Sequence, residues 1–72
     1  MEPEKLVYMA NQIAKFFAHQ PEDKAVAGTA DHIAKFWEPR MRTAIFRHLE
    51  AGGEGLDPLA LRALKSLKAG TH

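Results

Sequence analysis

Residues 51–58, Ala-Gly-Gly-Glu-Gly-Leu-Asp-Pro, form the clearest break in the helical pattern of this sequence. Glycine readily adopts the left-handed backbone conformation that ends a helix. Asp57 is a good N-cap residue, and Pro58 suits the first helical position because the N–H that proline lacks would be unpaired there. Leu56, which precedes the cap, can pack on Leu61 as a hydrophobic staple. The segment therefore predicts a true turn between two helices.

The four prolines of the chain are almost evenly spaced, and each opens a stretch with the apolar periodicity of a helix. They are Pro3, Pro21, Pro39 and Pro58, at intervals of 18, 18 and 19 residues, and a polar residue able to cap a helix precedes each one. The pattern predicts an all-α fold, a small bundle of about four short helices in a single domain over residues 1–72. Both a compact and an extended arrangement of the first three helices remain open, because their junctions are tight.

Length and composition favour a protein partner. The chain has 72 residues, no cysteine, and 10 basic against 9 acidic side chains. A domain this small buries only about 60% of its unfolded surface and usually needs disulfides, a metal or a partner to be stable. The absence of cysteine removes disulfides and most zinc sites, and the near-neutral charge provides no strong field for nucleic acid or anionic lipid.

The N-terminal residues and the hydropathy pattern predict a soluble, cytoplasmic protein. Met1-Glu2-Pro3-Glu4 is acidic, unlike the basic start of a signal peptide. No run approaches the ~18 apolar residues that a membrane span requires. We therefore expect no membrane association.

The first two helices carry more apolar surface than one buried face needs, since the apolar arc of helix 1 covers roughly 200°. The apolar face predicted for helix 2 consists of Val26, Ala30, Ile33, Phe36 and Trp37. Residues 11–17 (NQIAKFF) also resemble residues 31–37 (DHIAKFW), 20 positions later. This similarity reflects either two amphipathic helices with convergent patterns or a pseudo-symmetric helix pair that offers two aromatic edges to a partner.

The residues that could carry chemistry do not form a recognisable site. His19, His32 and His48 lie on three different predicted helices, and His72 lies at the chain end. The glycines of residues 51–55 lack the strand, lysine and hydroxyl of a phosphate-binding loop. We expect no catalytic residue, no cofactor-binding residue and no metal site.

Residues 35–47 (KFWEPRMRTAIFR) combine aromatic side chains, a proline and three arginines. Trp37 is either a core residue or an interface anchor, because tryptophan, arginine and methionine are enriched at interface cores. Arg42 lies beside the apolar arc of helix 3 and pairs either with Glu38 or with a carboxylate or carbonyl of another protein. The predicted partner-binding residues are Phe16, Phe17, Phe36, Trp37, Pro39, Arg40, Met41 and Arg42.

From about Leu6 to Leu67 the sequence resembles the delta subunit of cytoplasmic NAD-dependent, molybdenum-containing formate dehydrogenases. The resemblance rests on residues 36–42 (FWEPRMR) and 52–59 (GGEGLDPL), with support from residues 9–13 (MANQI). It implies a non-catalytic accessory subunit that binds the alpha subunit and supports assembly or stability of the complex. In that family formate is oxidised at a molybdenum centre in the alpha subunit, and iron–sulfur clusters pass electrons to flavin and NAD in the beta and gamma subunits. A chain without cysteine cannot ligate such a cluster in the usual way.

Two other functions remain as alternatives. One is a helical nucleic-acid-binding module in which Arg40 and Arg47 contact phosphates. The segment from Ala51 to Asp57 is too long for the turn of a helix-turn-helix, and the near-neutral charge also disfavours this function. The other is a homodimer in which two copies cover each other's apolar faces, which is compatible with an accessory role when the chain is isolated.

Overall fold

The computed structural model describes residues 2–70, which fold into four α-helices and contain no strand. The helices are α1 (Pro3–Phe17), α2 (Glu22–Phe36), α3 (Pro39–Glu50) and α4 (Pro58–Gly70). The all-α prediction is confirmed. Three of the helices begin with a proline, whereas Pro21 directly precedes the first residue of α2. Residue 1 and residues 71–72 of the predicted domain, His72 among them, lie outside the described residues.

The bundle is compact, so the first three helices do not adopt the extended arrangement that the sequence left open. Its Cα radius of gyration is 10.8 Å and its extents are 30 × 26 × 20 Å. Helix α2 packs most extensively against α4 and α1. Helices α1 and α2 run in opposite directions, because Phe17 lies against Gly28 while Ile13 and His32 border the same groove.

The core draws side chains from every helix. Leu6, Ile33, Ile45 and Leu64 are each fully buried, and several alanines between them let the helices approach closely. Their burial stabilises the bundle by about 25 cal/mol per Å² of apolar area removed from water. Packing between helices, rather than any one helix, therefore determines the structure.

The buried face of α2 differs from the predicted one. It consists of Ala25, Thr29 and Ile33, whereas Val26 and Ala30 are only partly buried. The small side chains at 25 and 29 suit the close packing of α2 on its neighbours. The Thr29 hydroxyl donates a 2.8 Å hydrogen bond to the Ala25 carbonyl, so its burial leaves no polar group unpaired.

The predicted turn after α3 is present, and glycine is required in it. The N–H of Gly52 donates to the Leu49 carbonyl at 3.1 Å, and the N–H of Gly53 donates to the His48 carbonyl at 2.9 Å, the bond pattern of a Schellman motif. Gly53 has a φ of +67° and is buried. A Cβ atom at this position would lie 2.9 Å from the side chain of Leu61. The backbone conformation therefore favours glycine, and a larger residue would also require the Leu61 side chain to move.

Side chains from outside the turn hold it in place. Asn11 of α1 donates from Nδ2 to the Gly55 carbonyl at 2.9 Å and accepts at Oδ1 from the N–H of Asp57 at 2.9 Å. His48 Nε2 lies 2.7 Å from the Glu54 carbonyl, to which it can only donate.

The polar residues that precede the prolines do not cap the first three helices. No side chain accepts a capping hydrogen bond at the start of α1, α2 or α3.

Two ion pairs connect α4 to its neighbours on the surface. Lys68 Nζ lies 2.5 Å from Glu50 Oε2, and Arg62 pairs with Glu22. The hydrogen bond and the charge of Lys68 lower the pKa of Glu50 below its ordinary value. Because exposed pairs of this kind are screened by solvent and contribute little, apolar packing remains the main source of stability.

Candidate partner-binding surface

A shallow groove lies between α1 and α2 on the surface of the bundle. It is lined by Gln12, Ile13, Phe16, Phe17 and His32. Phe16 is 71% exposed, whereas Phe17 is partly buried. The two rings meet edge to face, with their centroids 5.2 Å apart at an interplanar angle of 90°. Such aromatic pairs hold each other's orientation, so the groove has an ordered apolar wall.

Phe36 extends this surface from the far end of α2. Its ring centroid lies 4.7 Å from that of His32, with the rings tilted by 40°, and its side chain is 71% exposed. The phenyl rings of the two similar segments thus lie on one continuous surface. We call Ile13, Phe16, Phe17, His32 and Phe36 the aromatic groove.

Gly28 lets α1 and α2 approach each other beneath the aromatic groove. A Cβ atom at this position would lie 2.7 Å from the ring of Phe17. Glycine in the middle of a helix costs about 1 kcal/mol relative to alanine, so it needs a reason. The reason here is the packing of Phe17 directly on the α2 backbone.

The apolar surface continues along α1. Tyr8 and Met9 are 65% and 38% exposed, and Gln12 donates a 2.7 Å hydrogen bond to the Tyr8 hydroxyl. Single exposed apolar residues are ordinary, but a contiguous apolar surface on a small protein is typical of an interaction site. The surplus apolar surface expected for the first two helices is therefore present on one side of the bundle.

Trp37 lies in the core, which is one of its two predicted locations. Its side chain is 5% exposed and packs with the buried cluster, against which Met41 also packs. The indole is therefore not accessible to a partner in this fold. Pro39 and Arg40 at the start of α3 are exposed.

Arg42 joins the end of α2 to the start of α3. Its Nη1 donates to the Ala34 carbonyl at 3.2 Å and to the Trp37 carbonyl, and no ion pair with Glu38 occurs among the described residues. The carbonyls of the last helical turn have no helical partner, and a positive charge is favourable at that end of the helix dipole. Arg42 thus stabilises the C-terminal end of α2 within its own chain instead of pairing with Glu38, and its contact with another protein stays a prediction.

Comparison with known protein families identifies the family to which the chain belongs. The sequence model of the family described as NADH-dependent formate dehydrogenase delta subunit FdsD matches residues 5–64. The chain belongs to this delta subunit family. No curated protein and no solved structure gives a significant match. Both the aromatic groove and the Arg42 junction lie within the range that this family shares.

The structure separates the predicted site residues of this delta subunit family member into two groups. Phe16, Phe17 and Phe36 lie together in the aromatic groove. The others, Trp37, Pro39, Arg40, Met41 and Arg42, belong to the α2–α3 junction, where some are buried and some exposed.

Sequence reasoning missed three residues that shape these surfaces, namely Asn11, Gly28 and His32. A glycine in the middle of an apolar helix is a signal of close packing that could have identified Gly28. The spacing of four residues between His32 and Phe36 could have indicated their contact. Nothing in the sequence indicated that Asn11 would bind the turn.

Residues 2–70 of this delta subunit family member contain neither a metal-binding cluster nor a membrane-spanning helix. Within that range, no group of three or more His, Asp and Glu side chains is placed to hold a metal ion. No helix in the same range has both the length and the hydropathy to cross a membrane.

Replacing Arg42 with alanine should destabilise the isolated chain by about 1–2 kcal/mol, because two carbonyls lose a charged donor. Arg42→Lys should restore part of the loss, since lysine keeps the charge but not the guanidinium geometry. Urea unfolding followed by circular dichroism measures both effects. Arg40→Ala, an exposed arginine on the same helix, is the control, and equal stability of the two alanine variants would contradict the role of Arg42.

Proposed function

We propose that the chain is a non-catalytic accessory subunit that binds the large, molybdenum-containing alpha subunit of an NAD-dependent formate dehydrogenase. Binding supports assembly or stability of the complex in the cytoplasm. Membership of the delta subunit family supports the choice of complex. The exposed aromatic groove supports a role in binding.

The observation that carries the proposal is the exposure of two phenylalanines on one surface. Phe16 and Phe36 are each 71% exposed, whereas the core is built largely from smaller side chains. Full burial of one phenylalanine side chain is worth about 1.5–3 kcal/mol. A partner that covers both rings therefore gains substantial free energy, and a thinly stabilised small domain gains stability in return.

The proposal assigns the redox chemistry to other subunits. The sequence contains no cysteine, so it offers no thiolate for an iron–sulfur cluster, and it lacks a nucleotide-binding glycine motif. The chain therefore contributes to the folding, the cofactor retention or the subunit contacts of the alpha subunit that it binds.

Affinity purification of the tagged chain, coexpressed with the alpha subunit alone, tests the proposal. We expect the two proteins to copurify in a fixed ratio, and the melting temperature of the small chain to rise when saturating alpha subunit is added. The control is the same purification with an untagged chain. Recovery of the small chain without the alpha subunit, together with an unchanged melting temperature, would overturn the proposal. Sedimentation of the isolated chain separately tests for a homodimer.

A further inference from the structure

The guanidinium of Arg42 uses one of its nitrogens within the chain. Nη1 donates to the Ala34 carbonyl at 3.2 Å and to the Trp37 carbonyl. A guanidinium carries N–H donors on all its nitrogens, and within residues 2–70 neither Nε nor Nη2 of Arg42 has an acceptor. Arg42 is partly buried, and no buried side-chain nitrogen in that range lacks a hydrogen-bond partner. Both nitrogens therefore reach solvent.

The two carbonyl bonds hold the guanidinium in place before any partner binds. Ala34 lies in the last turn of α2, and Trp37 directly follows that helix. The side chain from the start of α3 is therefore held at the end of α2, and much of its rotamer freedom is already lost on folding. A ligand of Nε and Nη2 consequently binds a pre-organised group, at a smaller cost in conformational entropy than binding to a free arginine. We call these two nitrogens the open edge of Arg42.

The geometry of the open edge matches a carboxylate. Along this edge Nε and Nη2 present parallel N–H groups, and the two oxygens of a carboxylate accept them together. A main-chain carbonyl has one oxygen and cannot accept both bonds in this way. The open edge therefore favours an aspartate or glutamate side chain over a backbone acceptor.

The charges of the junction, residues 34–42, also suit one carboxylate. Lys35 is paired with Asp31 at 3.2 Å, which leaves the cations Arg40 and Arg42 and the carboxylate of Glu38. Two cations against one carboxylate give an excess of one positive charge, which a single carboxylate balances. Glu38 is exposed and does not pair with Arg42 in the part of the chain that the structure describes. The open edge is therefore available in the free chain.

We propose that Nε and Nη2 of Arg42 bind the carboxylate of one aspartate or glutamate side chain of the alpha subunit through two parallel hydrogen bonds. This inference rests on the proposed function and names one polar contact of that interface. Arg42 then has two roles, because Nη1 holds the end of α2 while the open edge contacts the partner.

Zero-length crosslinking of the assembled complex tests the inference. Arg42→Lys places an amine at this position, and a water-soluble carbodiimide joins that amine to a carboxylate in direct contact. We expect mass spectrometry to identify one crosslink between position 42 and a single acidic residue of the alpha subunit. Arg40→Lys changes an exposed arginine two residues earlier and is the matched control. No crosslink from position 42, a crosslink only to Glu38 of the same chain, or equal crosslinking from position 40 to the same carboxylate would each overturn the inference.

Affinity provides a second, independent measurement. Arg42→Lys keeps the charge but cannot form two parallel bonds, so it should bind the alpha subunit at least about tenfold more weakly than the wild-type chain. Arg40→Lys should change the affinity by less than about threefold. Circular dichroism at the titration temperature verifies that both variants are folded, which separates binding from the role of Nη1 in stability. Equal affinities of the two variants would overturn this inference alone, whereas a wild-type chain that does not bind would overturn the proposed function and the inference with it.

Discussion

Trp37→Ala is expected to unfold most of the isolated chain. The indole is 5% exposed and packs within the core, and truncation of such a side chain costs about 3–5 kcal/mol. The core of a domain of this size rarely supplies more than about 3–5 kcal/mol of net stability, so one substitution removes nearly all of it. Circular dichroism at 222 nm and urea titration measure the loss.

The adjacent aromatic residue is the matched control for this experiment. Phe36 is 71% exposed, and Phe36→Ala should therefore change the free energy of unfolding by less than about 1 kcal/mol. Retention of wild-type helicity and stability by Trp37→Ala would show that the core assignment of the indole is wrong.

The double variant Phe16→Ala, Phe36→Ala is expected to lose most of its affinity for the alpha subunit while the isolated chain stays folded. Truncation of an aromatic anchor at the centre of an interface commonly costs at least about 2 kcal/mol, which is roughly thirtyfold in affinity. Both rings are largely exposed in the free chain, so their removal affects the fold much less. Calorimetric titration with purified alpha subunit measures the affinity, and thermal melting measures the fold.

The residues directly before these phenylalanines provide the control. Lys15→Ala, Lys35→Ala changes two exposed side chains on the same helices and should alter the affinity by less than about fivefold. Unchanged affinity of the phenylalanine variant, or a loss no larger than that of the lysine variant, would remove the aromatic groove from the interface.

Helix count and position could be predicted from sequence because the signals are local. A proline fixes the start of a helix through its own φ angle and missing N–H, and residues 51–58 combine glycine, aspartate and proline in the order that a turn requires. The similarity of residues 11–17 and 31–37 identifies Phe16 and Phe36 as a candidate pair, but it leaves open whether their rings are exposed, and their contact with a partner stays a prediction.

The direction of individual side chains near the helix ends could not be predicted in the same way. Trp37 has φ −85° and ψ 140°, an extended conformation, so helical periodicity no longer gives the direction of its side chain. The partners of Arg42 are backbone carbonyls that only the angle between α2 and α3 brings within reach. Both features depend on the packed bundle, whereas periodicity describes one helix at a time.

The two hydrogen bonds of Asn11 bear on how the molecule unfolds. They join α1 to backbone atoms 44 and 46 residues later in the chain, at the loop that positions α4. Separation of α1 breaks these bonds, and loss of either terminal helix exposes the cavity that the helix leaves in the shared core. Partial opening therefore has little free-energy advantage over complete unfolding, which is the condition for two-state cooperativity. We accordingly expect the core amide protons of α1 and α4 to exchange with solvent in the same global event, despite lying at opposite ends of the sequence.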